Sequence, residues 1–280
     1  MFLAYPEEEG ADLGPEPSYS GGYGGGSMGI HLEGLIPLIL IIVIAAVAGS
    51  YLGLWNIPLV SQAKPLQVLV IGEPSLQARA VMDEAKDLVN YRVRSAESLR
   101  ASPREQLAQY DIVLLDQQGE ENHCIPRQVG EAVREFVLKG GKLITVMDSG
   151  ICRSGSMEAI GWKAVMGDVV PADCAPSKSG QPSCVNPIVV RGEIWRQDYD
   201  HPIMQGIEVI PALQDQPLLE LVTFDVVPQG NEIAFIQNAS TPEFYPAIVE
   251  KRLVLGKSIY FNYDPGATPV VMQKTFEYLR

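Results

Sequence analysis

The sequence predicts an α/β fold with a parallel, doubly wound sheet, preceded by one membrane-spanning helix. Short apolar runs alternate with helical patterns over most of the chain. The runs are apolar at nearly every position, which is typical of strands covered by helices on both faces. A third observation predicts the span: the stretch Leu35–Trp55 is uncharged and about as long as a helix that crosses a bilayer.

The charge of the chain is acidic and unevenly distributed. The 280 residues carry 34 Asp and Glu against 21 Lys and Arg, a net charge of −13. This balance argues against a nucleic-acid partner, because phosphate binding needs a basic surface. All the basic residues lie at or after Lys64, so the chain divides into a tail, an apolar stretch and a mixed-charge domain.

The first two regions precede the domain. Residues 1–34 form an acidic Gly/Ser/Tyr tail without helical or strand periodicity, which predicts disorder. Residues 35–57 are predicted to form the transmembrane helix, with Tyr51 and Trp55 near one membrane interface. This span predicts a single-pass membrane protein with the lipid bilayer as one of its partners.

Small residues recur every fourth position along the apolar stretch. Ala45, Gly49 and Gly53 would share one helix face, where a second helix could approach closely. This face predicts self-association or packing against another membrane or envelope protein.

The orientation depends on two opposing signals. Residues 58–65 form a short linker, and Lys64 within it would keep the domain in the cytoplasm by the positive-inside rule. The four cysteines favour disulfides and therefore an oxidising compartment. We give the second signal more weight and expect an extracytoplasmic domain, with the cytoplasm as the alternative.

The domain is predicted to span residues 66–280. Apolar runs predict strands, and helical spacing between them predicts helices over 77–90 and 126–138. Ser102 is predicted to cap a short helix with Pro103 at its first position. A final helix is predicted over 269–279. The predicted strands cover residues 66–71, 91–95, 110–115, 142–147, 188–190, 232–236, 247–249 and 258–261.

Three segments of this domain carry a family resemblance. They are Tyr110–Leu115 with the following helix and Phe136–Ile144, Asp200-His-Pro-Ile203 with Gly206, and Leu255–Phe261 with Asp264–Pro269. Together they resemble the class I glutamine amidotransferase-like superfamily, in particular its non-catalytic, trehalose-utilisation-type branch. The resemblance implies a flavodoxin-like, mostly parallel sheet.

Catalytic members of that superfamily use a cysteine nucleophile on a tight turn after a strand, with a histidine partner. Cys152 follows the fourth strand within Gly150–Gly155, and His201 is the one downstream histidine. Cys152 lies a few residues past the expected turn, and the family's His-x-Glu pairing is missing because Pro202 follows His201. A catalytic pair of Cys152 and His201 therefore stays an alternative, and the main expectation is that the chain is not an enzyme.

The cysteines also fit two disulfides. Cys174 and Cys184 flank a polar loop, and Cys124 and Cys152 follow two strands that are expected to be neighbours. A metal site formed by His123, Cys124 and Cys152 is the competing interpretation. No CxxC spacing supports that site, so no metal is predicted.

Polar residues follow the predicted strands at the sheet edge where α/β proteins bind ligands. We therefore predict a ligand edge here, although each residue taken singly fits a turn or capping role better. No glycine-rich phosphate loop follows the first strand, so no cofactor is predicted. The edge residues are Glu73, Ser75, Gln117, Asp148 and Ser149.

Three functions remain. The leading one is a membrane-anchored binding or scaffold module with a degenerate amidotransferase-like domain, within an envelope complex. The alternatives are a hydrolase or amidotransferase that uses Cys152 and His201, and an accessory component of a transport or secretion assembly.

Overall fold

The computed structural model divides the chain into two compact units, Met1–Ala63 and Lys64–Arg280. The structure describes residues 32–51, 64–153, 159–175, 183–212 and 217–280. Most of the predicted tail and of the predicted linker lies outside these residues.

The first unit contains one helix, α1, over Leu32–Tyr51. Side chains are described for residues 37–46. In the parts of the chain that the structure describes, no helix is long and apolar enough to cross a membrane. This finding contradicts the transmembrane helix predicted over residues 35–57 and the single-pass, extracytoplasmic localisation built on it.

The predicted helix-packing face is only partly described. Ala45 is an exposed residue of α1. Gly49 lies within α1, but its surroundings are outside the described residues, as is the whole of Gly53. The alternative of a transport or secretion component, which relied on this face, stays a prediction.

The second unit contains fourteen strands and five helices among its described residues. The helices are α2 Leu76–Glu84, α3 Pro103–Leu107, α4 Arg127–Leu138, α5 Trp162–Met166 and α6 Pro269–Leu279. The strands are β1 Leu66–Ile71, β2 Val89–Arg94, β3 Ile112–Leu115, β4 Lys142–Val146, β5 Cys152–Arg153, β6 Ala159–Ile160, β7 Ala172–Cys174, β8 Ile188–Arg196, β9 Val209–Ile210, β10 Leu219–Thr223, β11 Val226–Pro228, β12 Asn231–Asn238, β13 Phe244–Arg252 and β14 Lys257–Phe261.

Ten of these strands form one mixed sheet. Its order is β10-β8-β12-β13-β14-β4-β3-β1-β2, and β9 pairs with β8 beyond the end of β10. The half from β14 to β2 is parallel, and the half from β10 to β14 is antiparallel. β7 pairs with β11, and β5 pairs with β6, in two small separate sheets.

The predicted fold class is therefore wrong in its sheet. Four pairings are parallel and five are antiparallel, so the sheet is mixed rather than mostly parallel. The connections explain the difference. The loops at 239–243 and 253–256 join β12, β13 and β14, and such short loops can only make hairpins, because parallel neighbours need a crossover of a dozen or more residues.

The strand ends of the parallel half come close together at one edge, which is where the site residues lie. Gly72 ends β1 with a φ of 104°, a conformation that favours glycine. A Cβ atom at Gly72 would lie 2.4 Å from the carbonyl oxygen of Asp116, the residue that follows β3. The ends of β1 and β3 are thus packed backbone to backbone, with no space for a side chain between them.

Candidate functional site

Both pairs of cysteines that the sequence analysis named are bonded. The Cα atoms of Cys124 and Cys152 are 4.3 Å apart, and those of Cys174 and Cys184 are 5.0 Å apart. No free cysteine remains, since all four lie within the described residues. A thiolate is the reactive form of cysteine, so Cys152 in this state cannot act as a nucleophile.

The tight turn after β4 holds a methionine. Met147 has a φ of 52°, which is rare outside glycine and occurs where a strand turns sharply. In hydrolases with a nucleophile elbow, the nucleophile occupies such a strained position after a strand. The Met147 thioether has no proton to lose and cannot form a thiolate. Neither this turn nor Cys152 therefore supplies the nucleophile that the enzyme alternative needs.

A loop after β3, residues 117–124, is fastened over this turn, and we call it the strap. The backbone N–H of Gln117 donates to Ser149 Oγ at 2.9 Å, and the N–H of Gly150 donates to Gln117 Oε1 at 2.9 Å. His123 Nδ1 lies 3.0 Å from Asp148 Oδ2. With the Cys124–Cys152 disulfide, these contacts fix the strap at both ends.

The five residues of the predicted ligand edge all have partners within the chain. Ser75 Oγ caps α2 by accepting the Ala78 N–H at 2.9 Å. Glu73 is exposed and pairs with Arg79 at 3.1 Å. Gln117, Asp148 and Ser149 are buried and make the strap contacts. Among the described residues, no group of three or more His, Cys, Asp or Glu side chains could hold a metal ion.

Asp116 is the unusual residue of this edge. Its side chain is fully buried, and its Oδ1 accepts hydrogen bonds from the backbone and side-chain amides of Gln118. Its Oδ2 has no hydrogen-bond partner among the described residues. Burial raises the pKa of Asp116 to about 7; Asp264 adds to this effect, and Gln118 and His123 oppose it. Asp116 is not among the residues predicted for this edge, although an acidic residue directly after the apolar run Ile112–Leu115 was a visible signal.

His201 belongs to a separate, buried network. Its Nδ1 accepts the Ile203 N–H at 3.3 Å, so Nε2 carries the proton in the neutral ring and donates to Glu250 Oε2, also at 3.3 Å. The Tyr278 hydroxyl donates to Glu250 Oε1, and Arg252 Nε donates to Glu250 Oε2 at 2.9 Å. His201 thus fixes the turn at 202–204 and pairs with Glu250, whereas Cys152 is bonded to Cys124.

Glu250 is the centre of that network. It is buried, and burial by itself raises its pKa. The hydrogen bonds from His201 and Tyr278 and the charge of Arg252 more than offset burial and lower the pKa to about 2. Every polar side chain in this network has a partner, which is the arrangement expected of a structural ion pair.

An apolar groove of about 500 Å³ lies between β9, β10 and the start of α6. β9 and β10 pair with consecutive parts of β8, and the described residues between them, 211–212 and 217–218, are not in a strand. Among the residues that the structure describes, none of the side chains lining the groove is charged. They are Ile207, Val209, Ile210, Pro211, Ala212, Pro217, Leu219, Ala267, Thr268, Pro269 and Val270.

The sequence matches no protein-family model and no curated protein. Among solved structures, a β-galactosidase from Bacillus circulans sp. alkalophilus is similar with a TM-score of 0.50 and 16% identity, over 78% of this chain and 31% of that one. Gan42B, a GH42 β-galactosidase from G. stearothermophilus, has a TM-score of 0.48 at 11% identity, over 77% and 29%. A putative GMP synthase protein from Thermoplasma acidophilum has a TM-score of 0.46 at 9% identity, over 78% and 94%.

These similarities concern the fold alone, because the identities are low. The chain spans about a third of the length of the β-galactosidases it resembles. Of the three structures named above, the β-galactosidase from Bacillus circulans sp. alkalophilus reaches a TM-score of 0.50. The predicted resemblance to the class I glutamine amidotransferase-like superfamily is thereby contradicted. The short motifs behind it have structural roles here: His201 fixes a turn, and Gly206 adopts a φ of 76°.

Proposed function

We propose that the chain is a non-catalytic module that binds another protein. The observation that carries this proposal is the state of Cys152, whose sulfur is bonded to Cys124. The Met147 turn and the internal partners of the five predicted edge residues support it. Among the described residues, the ends of β1, β3 and β4 offer no cysteine thiolate, and these five side chains are engaged within the chain.

The apolar groove is the surface we assign to the partner. The described residues of its walls are uncharged, so they offer burial of apolar area as the main source of affinity. Its position along the edge strands β9 and β10 offers backbone pairing as well, because each of them pairs with β8 alone among the described strands. The occupant that fits both features is an extended, apolar segment of a partner protein, added in the manner of an extra strand.

Selection from a displayed library of random peptides, with the full chain as the target, tests this proposal. We expect the selected peptides to be apolar at alternate positions. Val270 is 56% exposed at the second residue of α6, so Val270→Glu leaves the core intact and places a charge at the groove. Measured by fluorescence polarisation, this variant should bind the peptides at least about tenfold more weakly, because the carboxylate would lose solvation against an apolar ligand.

Val254→Glu is the matched control, since Val254 is 98% exposed in the loop between β13 and β14. It should leave peptide affinity unchanged. Selected peptides that bind wild type and Val270→Glu equally well would show that the groove is not the binding surface.

A further inference from the structure

The strap has no apolar side chain to anchor it, apart from Cys124. Its residues read Gln-Gln-Gly-Glu-Glu-Asn-His-Cys, and among these eight only Gln117 is buried. Burial of apolar area is the main favourable contribution to folding, and this segment adds almost none of it. The attachment of the strap therefore depends on hydrogen bonds, on one His–Asp pair and on the disulfide at Cys124.

The hydrogen bonds of the strap can be exchanged for hydrogen bonds to water. The Gly119 N–H donates to the Glu73 carbonyl oxygen at 2.8 Å. The Gly150 N–H donates to the His123 carbonyl oxygen at 3.0 Å as well as to Gln117 Oε1. These groups can bond to solvent when the strap moves away, so each contact contributes little net free energy. Among the described contacts of the strap, the disulfide is the one that water cannot replace.

The strap covers two buried carboxyl groups at the strand ends. Asp116 follows β3 and Asp148 lies in the turn after β4, and both are buried. Gln118 donates to Asp116 Oδ1 from its backbone and side-chain amides, and His123 pairs with Asp148. Release of the strap would give both carboxyl groups access to water, which favours their charged forms.

The charge of the strap adds to this tendency. Glu120 and Glu121 place two further carboxyl groups on the segment that contacts Asp116 and Asp148. Charges of one sign that are held together repel one another and raise the free energy of the closed position. The covalent bond thus holds a polar, acidic segment against an acidic edge of the sheet.

We propose that the Cys124–Cys152 disulfide is a redox switch: a dithiol reductant opens it, and the strap then leaves the turn after β4 and uncovers the two carboxyl groups. Cys124 is half-exposed, whereas Cys152 is buried, so a thiolate of the reductant attacks Cys124 Sγ. The sulfur–sulfur bond breaks, and Cys152 leaves as a thiolate that takes up a proton from water. The second thiol of the reductant then displaces Cys124. The reductant ends as a disulfide and the two cysteines end as thiols, with two electrons exchanged.

Hydrogen exchange before and after reduction tests the switch. The full chain is treated with dithiothreitol, and alkylation followed by mass spectrometry shows which cysteines have been reduced. Once the strap disulfide is open, the Gln117 and Gly150 amides should exchange at least about tenfold faster, because they lose their partners across the strap. The amides of Val70 and Ile144, in the central strands β1 and β4, should keep their rates. Reoxidation with oxidised glutathione should restore slow exchange at the strap.

Cys174→Ser/Cys184→Ser is the matched background, because the strap disulfide is then the one disulfide that can be reduced. Reduction of this variant should accelerate exchange at the two strap amides as much as it does in the wild type. Three results would overturn the proposal. They are exchange at the strap amides that reduction leaves unchanged, acceleration that extends to the two central-strand amides and so reports global unfolding, and a strap disulfide that dithiothreitol does not reduce in the folded chain.

Discussion

Asp116→Asn should make the protein more stable at pH 8, by up to about 4 kcal/mol. The asparagine oxygen can keep the hydrogen bonds from Gln118, while the variant removes a carboxylate that is buried with one unpartnered oxygen. The magnitude follows from the difference between the folded pKa of about 7 and the ordinary value of 3.8, at 1.36 kcal/mol per unit.

The pH dependence of this gain has a defined sign. A raised folded pKa means that the folded state holds a proton which the unfolded chain releases at lower pH. Protonated Asp116 therefore makes its full contribution to the unfolding free energy of the wild type below pH 4. That contribution is lost as the pH rises through 7. The variant and the wild type should be equally stable near pH 3.5, and the gain should grow from pH 4 to pH 7.

Chemical denaturation at several pH values measures this difference. Asp87→Asn, at an exposed position, is the control and should change the unfolding free energy by less than about 0.5 kcal/mol throughout. If Asp116→Asn were less stable than the wild type at pH 8, the Asp116 carboxylate would have to accept a hydrogen bond from a group outside the described contacts.

The double variant Cys124→Ser/Cys152→Ser should lose about 3 to 4 kcal/mol of unfolding free energy. The disulfide closes a loop with a sequence separation of 28, and removing it returns the corresponding entropy to the unfolded chain. The strap should also open more often, because the disulfide is the covalent part of its attachment. Hydrogen exchange at the Gln117 and Gly150 amides, which donate across the strap, should then accelerate.

Cys174→Ser/Cys184→Ser is the internal comparison. Its loop is shorter, with a separation of 10, so we expect a smaller loss of about 2 to 3 kcal/mol and no change in exchange at Gln117 or Gly150. Urea denaturation under identical conditions ranks the two variants. A larger loss of unfolding free energy in Cys174→Ser/Cys184→Ser than in Cys124→Ser/Cys152→Ser would mean that the attachment of the strap does not depend on its disulfide.

Local patterns predicted most secondary structure in the domain. The strand Leu66–Ile71 and the helix Pro269–Leu279 match their predicted bounds, and the helix predicted over 126–138 is found at Arg127–Leu138. These elements have long apolar runs or clear helical spacing, and each has a proline at or directly before its first residue. The prediction of a mostly parallel sheet was wrong for β12 and β13, which pair antiparallel. The short loops between β12, β13 and β14 already required hairpins.

The site was predictable only where residues lie near one another in the sequence or at neighbouring strand ends. The disulfide pairing of Cys124 with Cys152 followed from two adjacent strands. The pairing of His201 with Glu250 joins residues 49 positions apart, in a turn and an antiparallel strand, and no local pattern indicates it. The strained conformation of Met147 is likewise a property of the folded turn and not of its sequence.

The central claim is that Cys152 holds the strap and does not act as a nucleophile. Alkylation of the purified, non-reduced protein with iodoacetamide, followed by intact-mass analysis, tests it most directly. We expect no adduct on the native chain, none in denaturant, and four only after reduction. A single rapid adduct on Cys152 in the native protein would contradict the account and restore the enzyme alternative.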